Sequence, residues 1–401
     1  MQESSFIAGI DWATEVHAVC ILGDDGRMIE RFDVTHDNLA LRMMVSRFRK
    51  ARVTKVAIER GDGPVVQVLI DAGLAVFVAG VASDQSLTDP LRLGNKDDRL
   101  DAYVLADTLR TDGHRWRPLR EDHPETKSLR AMCRACKDLV EIRVQVMNQL
   151  RSNLELAFPG ALGLFSRLDS PITLAFLRRF PTAAQGAWLS PARLDRWLKS
   201  VGYTGGISAQ TLYQHLDGAA PGLFGVEAQA RGQITTVLVT TIETLTAEII
   251  RIETQIRKLF DAHPDQKIFA SLPRSGMVRA ATLLAEIGDC RERFPSDDAL
   301  AALAGASPST RQSGKHEQTV FRWSCNKKLR RAVMDFANGS RLGDPWAMQV
   351  YRRAIARGCR HPRAIGDTRT RLDPHHLALL ARRNPFQPAT TREPKTPSCL
   401  T

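Results

Sequence analysis

The order of the apolar segments in the first eighty residues constrains this chain more than any other feature. Residues 6–10, 17–22 and 27–34 alternate or run apolar over strand lengths, and Asp24-Asp25-Gly26 supplies hairpin-turn residues between the second and third. Residues 38–49 then carry a helical period, 55–59 read as a strand, 63–72 as a helix and 75–81 as a further strand. Asp11 follows the first strand, and Glu59 closes the fourth.

Three strands in a meander followed by alternating helix and strand is the order of a ribonuclease-H-like α/β fold, in which Asp11 and Glu59 lie side by side at the centre of the sheet. Further on, Lys96-Asp97-Asp98-Arg99-Leu100-Asp101-Ala102 leads into an apolar helix over 100–109. On a helix, Asp98 and Asp101, or Asp97 and Asp101, project from one face and repel if left unpaired. Acidic residues in a first turn can simply complement the helix macrodipole. Alternatively, four carboxylates from separate elements, Asp11, Glu59, Asp98 and Asp101, converge on one cation. Hard oxygen ligands of that kind suit Mg²⁺. Two ions would serve the nucleophile and the leaving oxygen of a phosphoryl transfer, and one ion used for positioning fits the same residues.

With 401 residues the chain is long enough for two or three domains. Lys and Arg number 56 against 44 Asp and Glu, a formal net charge of +12, which favours a polyanionic partner, with nucleic acid foremost. A basic protein from an Arg-rich genome is the alternative. No apolar run approaches the ~20 residues needed to span a bilayer, and the N-terminus enters a strand pattern without a signal segment. The expectation is a cytoplasmic protein with no membrane partner. Of seven cysteines, Cys133 and Cys136 form the lone CxxC; lying in a helical stretch without a second pair, they read as helix-surface thiols rather than a zinc site.

Residues 124–158 form an amphipathic helical pattern with a basic outer face, and 232–260 carry Ile234, Val237, Leu238, Ile242, Leu245 and Ile249 at similar steps. The two pair as a coiled coil or as a bundle core. Between them, 161–231 reads as a small helical insertion, whose Arg178, Arg179, Arg193, Arg196 and Lys199 either track a nucleic-acid backbone or form a solvated face. Residues 272–278 read as a hairpin between two helices, with Gly276 allowing close backbone approach to phosphate.

GIDWATEVHAV, VAIERGDG and KDDRLDAYVLADTLR resemble the RuvC-like domain of DEDD transposases, the insertion-sequence 110 family, and the resemblance places the acidic set on Asp11, Glu59, Asp98 and Asp101. FPSDDALAALAGASPSTRQSGKHEQTVFRWSCNKKLRR resembles that family's C-terminal transposase domain, which puts the nucleophilic serine of the Gln-Ser-Gly motif at Ser313. On its own residues, Ser313 sits in a polar, glycine-bearing loop where serine is ordinarily a turn residue. No His-Asp pair stands beside it; His316 is either a base or a solvent-exposed loop histidine, and otherwise activation comes from the metal site brought over in space. Arg311, Lys315, Arg322, Lys327, Lys328, Arg330 and Arg331 supply charge for a pentavalent phosphate or for the nucleic-acid backbone. Residues 325–331 read as a helix start, and the helix over 329–340 packs through Leu329, Val333, Phe336 and Ala337.

Four segments follow: a RuvC-like metal-binding domain over 1–115; a helical, coiled-coil linker over 116–265; a mainly helical transposase domain over 266–365; and a Pro- and Arg-rich tail over 366–401 that reads as disordered. One codon choice for RLDPHHLALLARRNPF, read one nucleotide out of register, spells DWIRIIWRCWQDGTPF, an ending of the kind the family carries, so the tail also reads as frameshifted. His375 and His376 with Asp373 belong to this tail. The resemblance implies a recombinase that cuts and rejoins DNA through a serine-phosphate link with Mg²⁺. It also implies a noncoding guide RNA pairing with donor and target DNA, and a dimer or tetramer that splits the site between subunits. Two rivals remain: a RuvC-like Mg²⁺-dependent structure-selective endonuclease with Ser313 as a loop residue, and an inactive nucleic-acid-binding remnant.

Overall fold

The computed structural model describes residues 6–79, 98–291, 294, 296–305, 309–313, 316–320, 322–323, 325–361 and 364. Asp97, Lys315 and the tail with His375 and His376 lie outside the described residues. The chain falls into two compact units, Met1–His123 with Gly288–Phe386, and one built on Pro124–Ile287.

In the first unit, β1 (Phe6–Asp11), β2 (Val16–Leu22) and β3 (Met28–Thr35) form the expected antiparallel meander. Gly26, at φ +83°, turns the chain between β2 and β3 and donates its N–H to the Gly23 carbonyl at 2.9 Å. After α1 (Asn38–Lys50), which Asp37 caps by accepting the Ala40 N–H at 2.8 Å, come β4 (Val53–Ile58), α2 (Pro64–Asp71) and β5 (Ala75–Val78). The sheet order is β3-β2-β1-β4-β5, with β4 and β5 running parallel to β1. That is the topology expected from the order of apolar segments.

Period-two alternation divides the core between the two faces of the sheet. Ala8, Ile10, Val19, Ile21, Val56 and Ile58 pack with Leu41, Met44 and Phe48 of α1 and Val65, Val66 and Leu69 of α2. The opposite face carries Ile7, Ala57 and Phe77 beside Leu105 and Leu109, and Ala18, Cys20 and Leu22 beside Ala102 and Ala106. Those partners come from α3 (Asp98–Asp112), which begins earlier than the apolar pattern indicated, so both Asp98 and Asp101 lie in its first turn.

The second unit is helical. α4 (Pro124–Ala157) and α9 (Gly225–Asp261) run antiparallel: Asn153 Nδ2 donates to Thr235 Oγ1 at 2.9 Å, Arg143 approaches Thr246 at 3.5 Å, and Thr126 meets His263 at 2.9 Å. α9 starts two turns before its apolar period, on a segment held by helix formers and the Arg231–Glu227 pair at 2.9 Å rather than by a buried stripe. Four short helices, α5 (Pro171–Arg179), α6 (Ala183–Ala187), α7 (Pro191–Ser200) and α8 (Ala209–Asp217), enclose a core around Phe158, Phe165, Phe176 and Phe180. Arg178 pairs with Glu243, and Lys199 with Asp195 at 2.7 Å, so part of that basic face is neutralised within the chain. α10 (Gln266–Ala270) and α11 (Met277–Ile287) flank the anticipated turn, with Gly276 at φ +61°.

Cys133 and Cys136 are not surface thiols. Each is 3% exposed, and burial pushes the Cys133 thiol up to about 12. Both fall on the apolar side of α4, and α11 covers Cys133: Arg134 pairs with Glu286 at 2.8 Å and the Thr282 hydroxyl lies against the thiol.

Back in the first unit, the Asp122 carboxylate accepts the N–H groups of Asp289 (3.0 Å) and Cys290 (3.1 Å), tying the two stretches of the unit together. α12 (Asp297–Leu303) follows. The loop reading of Ser313 is overturned, because β6 (Ser309–Ser313) and β7 (His316–Val320) form an antiparallel hairpin with Ser313 as the last residue of its strand. α13 (Lys327–Ser340) is capped by Asn326 Oδ1, which accepts from Lys328 and Leu329 at 3.1 Å; Leu329, Val333, Phe336 and Ala337 are buried as anticipated. α14 (Pro345–Ala356) packs Trp346 and Ala347 onto Ala337.

Candidate active site

Asp11 ends β1 and is buried to 9% exposure, Asp101 is half-buried, and Asp98 is exposed. One carboxylate oxygen from each lies within 4.8 Å of the others, so the group grades from the sheet outward to solvent. The cause of the convergence is two residues upstream. A Cβ on Gly9 would stand 2.1 Å from the Ala102 carbonyl oxygen and 2.6 Å from the Ala106 nitrogen, both main-chain atoms of α3. Glycine thus lets the helix backbone press directly on β1, and the first turn of α3 comes to rest beside Asp11. The exposed Arg99–Asp33 pair at 2.7 Å joins the start of α3 to β3.

Glu59 stands one residue beyond the last β1–β4 pair, Ile10 with Ile58, so register places it next to Asp11. Its carboxylate is exposed in the bend after β4 and is not a member of the three-oxygen group. The next residue on each strand takes the other face. Arg60 stacks over Trp12 at 4.4 Å and is held by Asp62 at 3.0 Å.

Beneath the turn after Asp11, His17 is fully buried. Its Nδ1 accepts the Ala13 N–H at 3.2 Å, which puts the ring proton on Nε2 and aims it at His36 Nδ1, 2.8 Å away. Burial, with His36 as a lesser cause, pushes the His17 pKa down. Gly9 and this histidine pair were not singled out from the sequence. Gly9 carried a usable signal, since glycine inside a strand pattern often marks close backbone approach.

Three carboxylates this close repel, and their oxygens are the hard donors that Mg²⁺ or another divalent cation takes. The residues therefore fit a metal centre chemically.

Ser313 and His316 form the last register pair of the β6–β7 hairpin, and Arg311 pairs with Gln318. The two-residue Gly-Lys connection in STRQSGKHEQTV is a hairpin signal that the loop reading passed over. Lys327, Lys328 and Arg331 are exposed around the start of α13. Lys327 and Lys328, in the first turn, gain nothing from the helix macrodipole, which favours anions at that end. Arg330 differs, since its guanidinium donates to the Arg322 carbonyl and lies against the Gly305 turn.

The family model DEDD_Tnp_IS110, described as a transposase, matches residues 8–159 and contains the three-carboxylate group. The model described as transposase IS116/IS110/IS902 family matches residues 266–352 and contains Ser313. A Streptomyces coelicolor protein described as the mini-circle transposase for IS117 is 32% identical over 371 residues, covering 89% of each chain. The uncharacterized 42 kDa protein of insertion element IS900 from Mycobacterium paratuberculosis is 27% identical, covering 96% of this chain and 98% of its own. A solved structure of T. thermophilus RuvC in complex with Holliday junction substrate overlaps 29% of this chain and 99% of its own, at TM-score 0.23 and 14% identity. The fold assignment rests on the sheet topology rather than on that overlap. With both family models matched in order and a transposase relative aligned along nearly nine-tenths of its length, the chain belongs to the IS110 family of transposases.

Proposed function

We propose that this transposase cuts and rejoins DNA through a covalent phosphoserine link at Ser313, with Mg²⁺ held by Asp11, Asp98 and Asp101 and completed by Glu59. The observation behind this is the convergence of the three aspartates within 4.8 Å, from β1 and from a helix far along the chain. Bound there, Mg²⁺ would supply positive charge to the phosphate undergoing transfer. Glu59 joins the set by swinging an exposed side chain from the neighbouring strand end.

The chain's own residues carry the other steps. Ser313 provides the oxygen that takes the phosphoryl group, and the ester it forms conserves the bond energy needed for rejoining. Lys327, Lys328 and Arg331 hold the nucleic-acid backbone at the start of α13, while Arg311, Lys315 and Arg322 add charge along the approach to Ser313. Arg330 instead bonds the Arg322 carbonyl beside the Gly305 turn. Family membership supports the rest of the reading. A noncoding RNA from the element pairs with donor and target DNA, and a homodimer or tetramer, held through the α4–α9 pair as a coiled coil, brings the carboxylates of one subunit to the serine of another. The protein works in the cytoplasm.

The test uses the full-length protein with the transcript of its element's noncoding end and DNA spanning the joined ends. An SDS-stable protein–DNA adduct is expected, absent from Ser313→Ala. If Ser313→Ala still cleaves DNA while Asp98→Ala does not, the phosphoserine mechanism fails and the chain is a metal-dependent nuclease.

A further inference from the structure

The β6–β7 hairpin places more than the serine. Its register pairs Ser309 with Val320, Arg311 with Gln318, and Ser313 with His316, with two residues between the last pair. Residues directly opposed in an antiparallel ladder share a face, with Cβ atoms about 4.5–5.5 Å apart, and faces alternate along each strand. Arg311, Ser313 and His316 thus share one register face of the two-stranded ladder. Gln312 and Glu317, the next register pair, occupy the other.

We propose that His316 is the proton acceptor for Ser313, and that Arg311 binds a non-bridging oxygen of the phosphate under attack; this rests on Ser313 being the nucleophile. A serine hydroxyl needs a base to attack phosphorus at neutral pH, and an imidazole of ordinary pKa near ~6.5 is suited to that work. As the Oγ–P bond forms, the Oγ proton passes to His316. The P–O bond to the leaving strand end breaks, and the imidazolium returns its proton to that oxygen. Arg311 offsets the charge on the non-bridging oxygens throughout. Rejoining runs the steps in reverse: the incoming strand-end hydroxyl gives its proton to His316, its oxygen attacks phosphorus, and Ser313 leaves with the proton restored. The hairpin alone supplies this chemistry, so serine activation does not require the aspartate group to act as a base.

The experiment measures the rate of SDS-stable adduct formation by the full-length protein with its RNA and joined-end DNA, across pH. His316→Gln should slow the adduct by about 10²–10⁴-fold, the usual contribution of a positioned base, and abolish the pH inflection. Added imidazole should partly restore His316→Ala. In the His316→Gln background, Ser313→Cys should recover adduct formation, because a thiol ionises unaided near pH ~8.5. His316→Asn serves as a second variant should the glutamine substitution disturb the hairpin, and circular dichroism melting establishes that each is folded. A His316→Gln rate within about twofold of the parent, with the pH profile intact, overturns the proposal while the serine mechanism stands. Adduct or cleavage persisting in Ser313→Ala overturns the serine mechanism instead, so the two failures are distinct.

Discussion

Gly9→Ala is the most exacting test of how the carboxylate group is assembled. The added Cβ would lie 2.1 Å from the Ala102 carbonyl oxygen and 2.6 Å from the Ala106 nitrogen. Non-bonded heavy atoms settle near ~3.5 Å, so the deficits are about 1.4 and 0.9 Å. Both neighbours are main-chain atoms, and no rotamer change relieves the overlap. α3 must therefore retreat from β1 by about 1 Å, at an overpacking cost of about 1–3 kcal/mol. At roughly 2–4 °C per kcal/mol for a unit of this size, the melting temperature should fall by about 2–12 °C. The retreat carries Asp98 and Asp101 away from Asp11, so Mg²⁺ should also stabilise the variant less. Scanning fluorimetry of both proteins, with EDTA and with excess Mg²⁺, separates the two effects. A site filled to about 100 Kd would stabilise the parent by about 2.7 kcal/mol, and that increment should shrink in the variant. Gly206→Ala is the control, since nothing lies within 4 Å of its Cβ position. A Gly9→Ala protein that melts with the parent and keeps the full Mg²⁺ increment would refute this account of the close contact.

Three further outcomes are expected. Asp98→Asn should leave the metal-free melting temperature unchanged or slightly raised, because one of three clustered charges is gone, and should eliminate the Mg²⁺ increment; an undiminished increment would place the ion elsewhere. His17 has a folded pKa below its ordinary 6.5, so the folded state binds fewer protons than the unfolded chain. Its contribution to stability is thus complete above about pH 6.5 and lost as pH falls through the lowered value; urea titrations should show that acid loss, with a flatter profile for His17→Gln. Cys133, buried with its pKa pushed up to about 12, should resist iodoacetamide in the folded protein near neutral pH and react once unfolded. Rapid labelling of native Cys133 would contradict its place in the core.

Local periodicity determined a good deal of this chain unaided. The apolar runs and alternation of β1 to β4 and the helical steps between them are short-range properties, and the ribonuclease-H-like order follows from their succession. The buried stripe of α13 was legible for the same reason, because Leu329, Val333, Phe336 and Ala337 repeat at helical spacing. Ser313 was misplaced in a loop because STRQS and HEQTV are largely polar, leaving no apolar period to report strands; main-chain pairing of Ser309–Ser313 with His316–Val320 decides that hairpin. Cys133 and Cys136 were misread because burial on α4 depends on which helix covers it, and α11 comes from far along the chain. The acidic motif announced Asp11, Glu59, Asp98 and Asp101 as candidates, yet no spacing could say that three of the four carboxylates meet and that Glu59 stands outside them. Tertiary packing set that distance, through a strand glycine whose missing side chain admits a helix backbone.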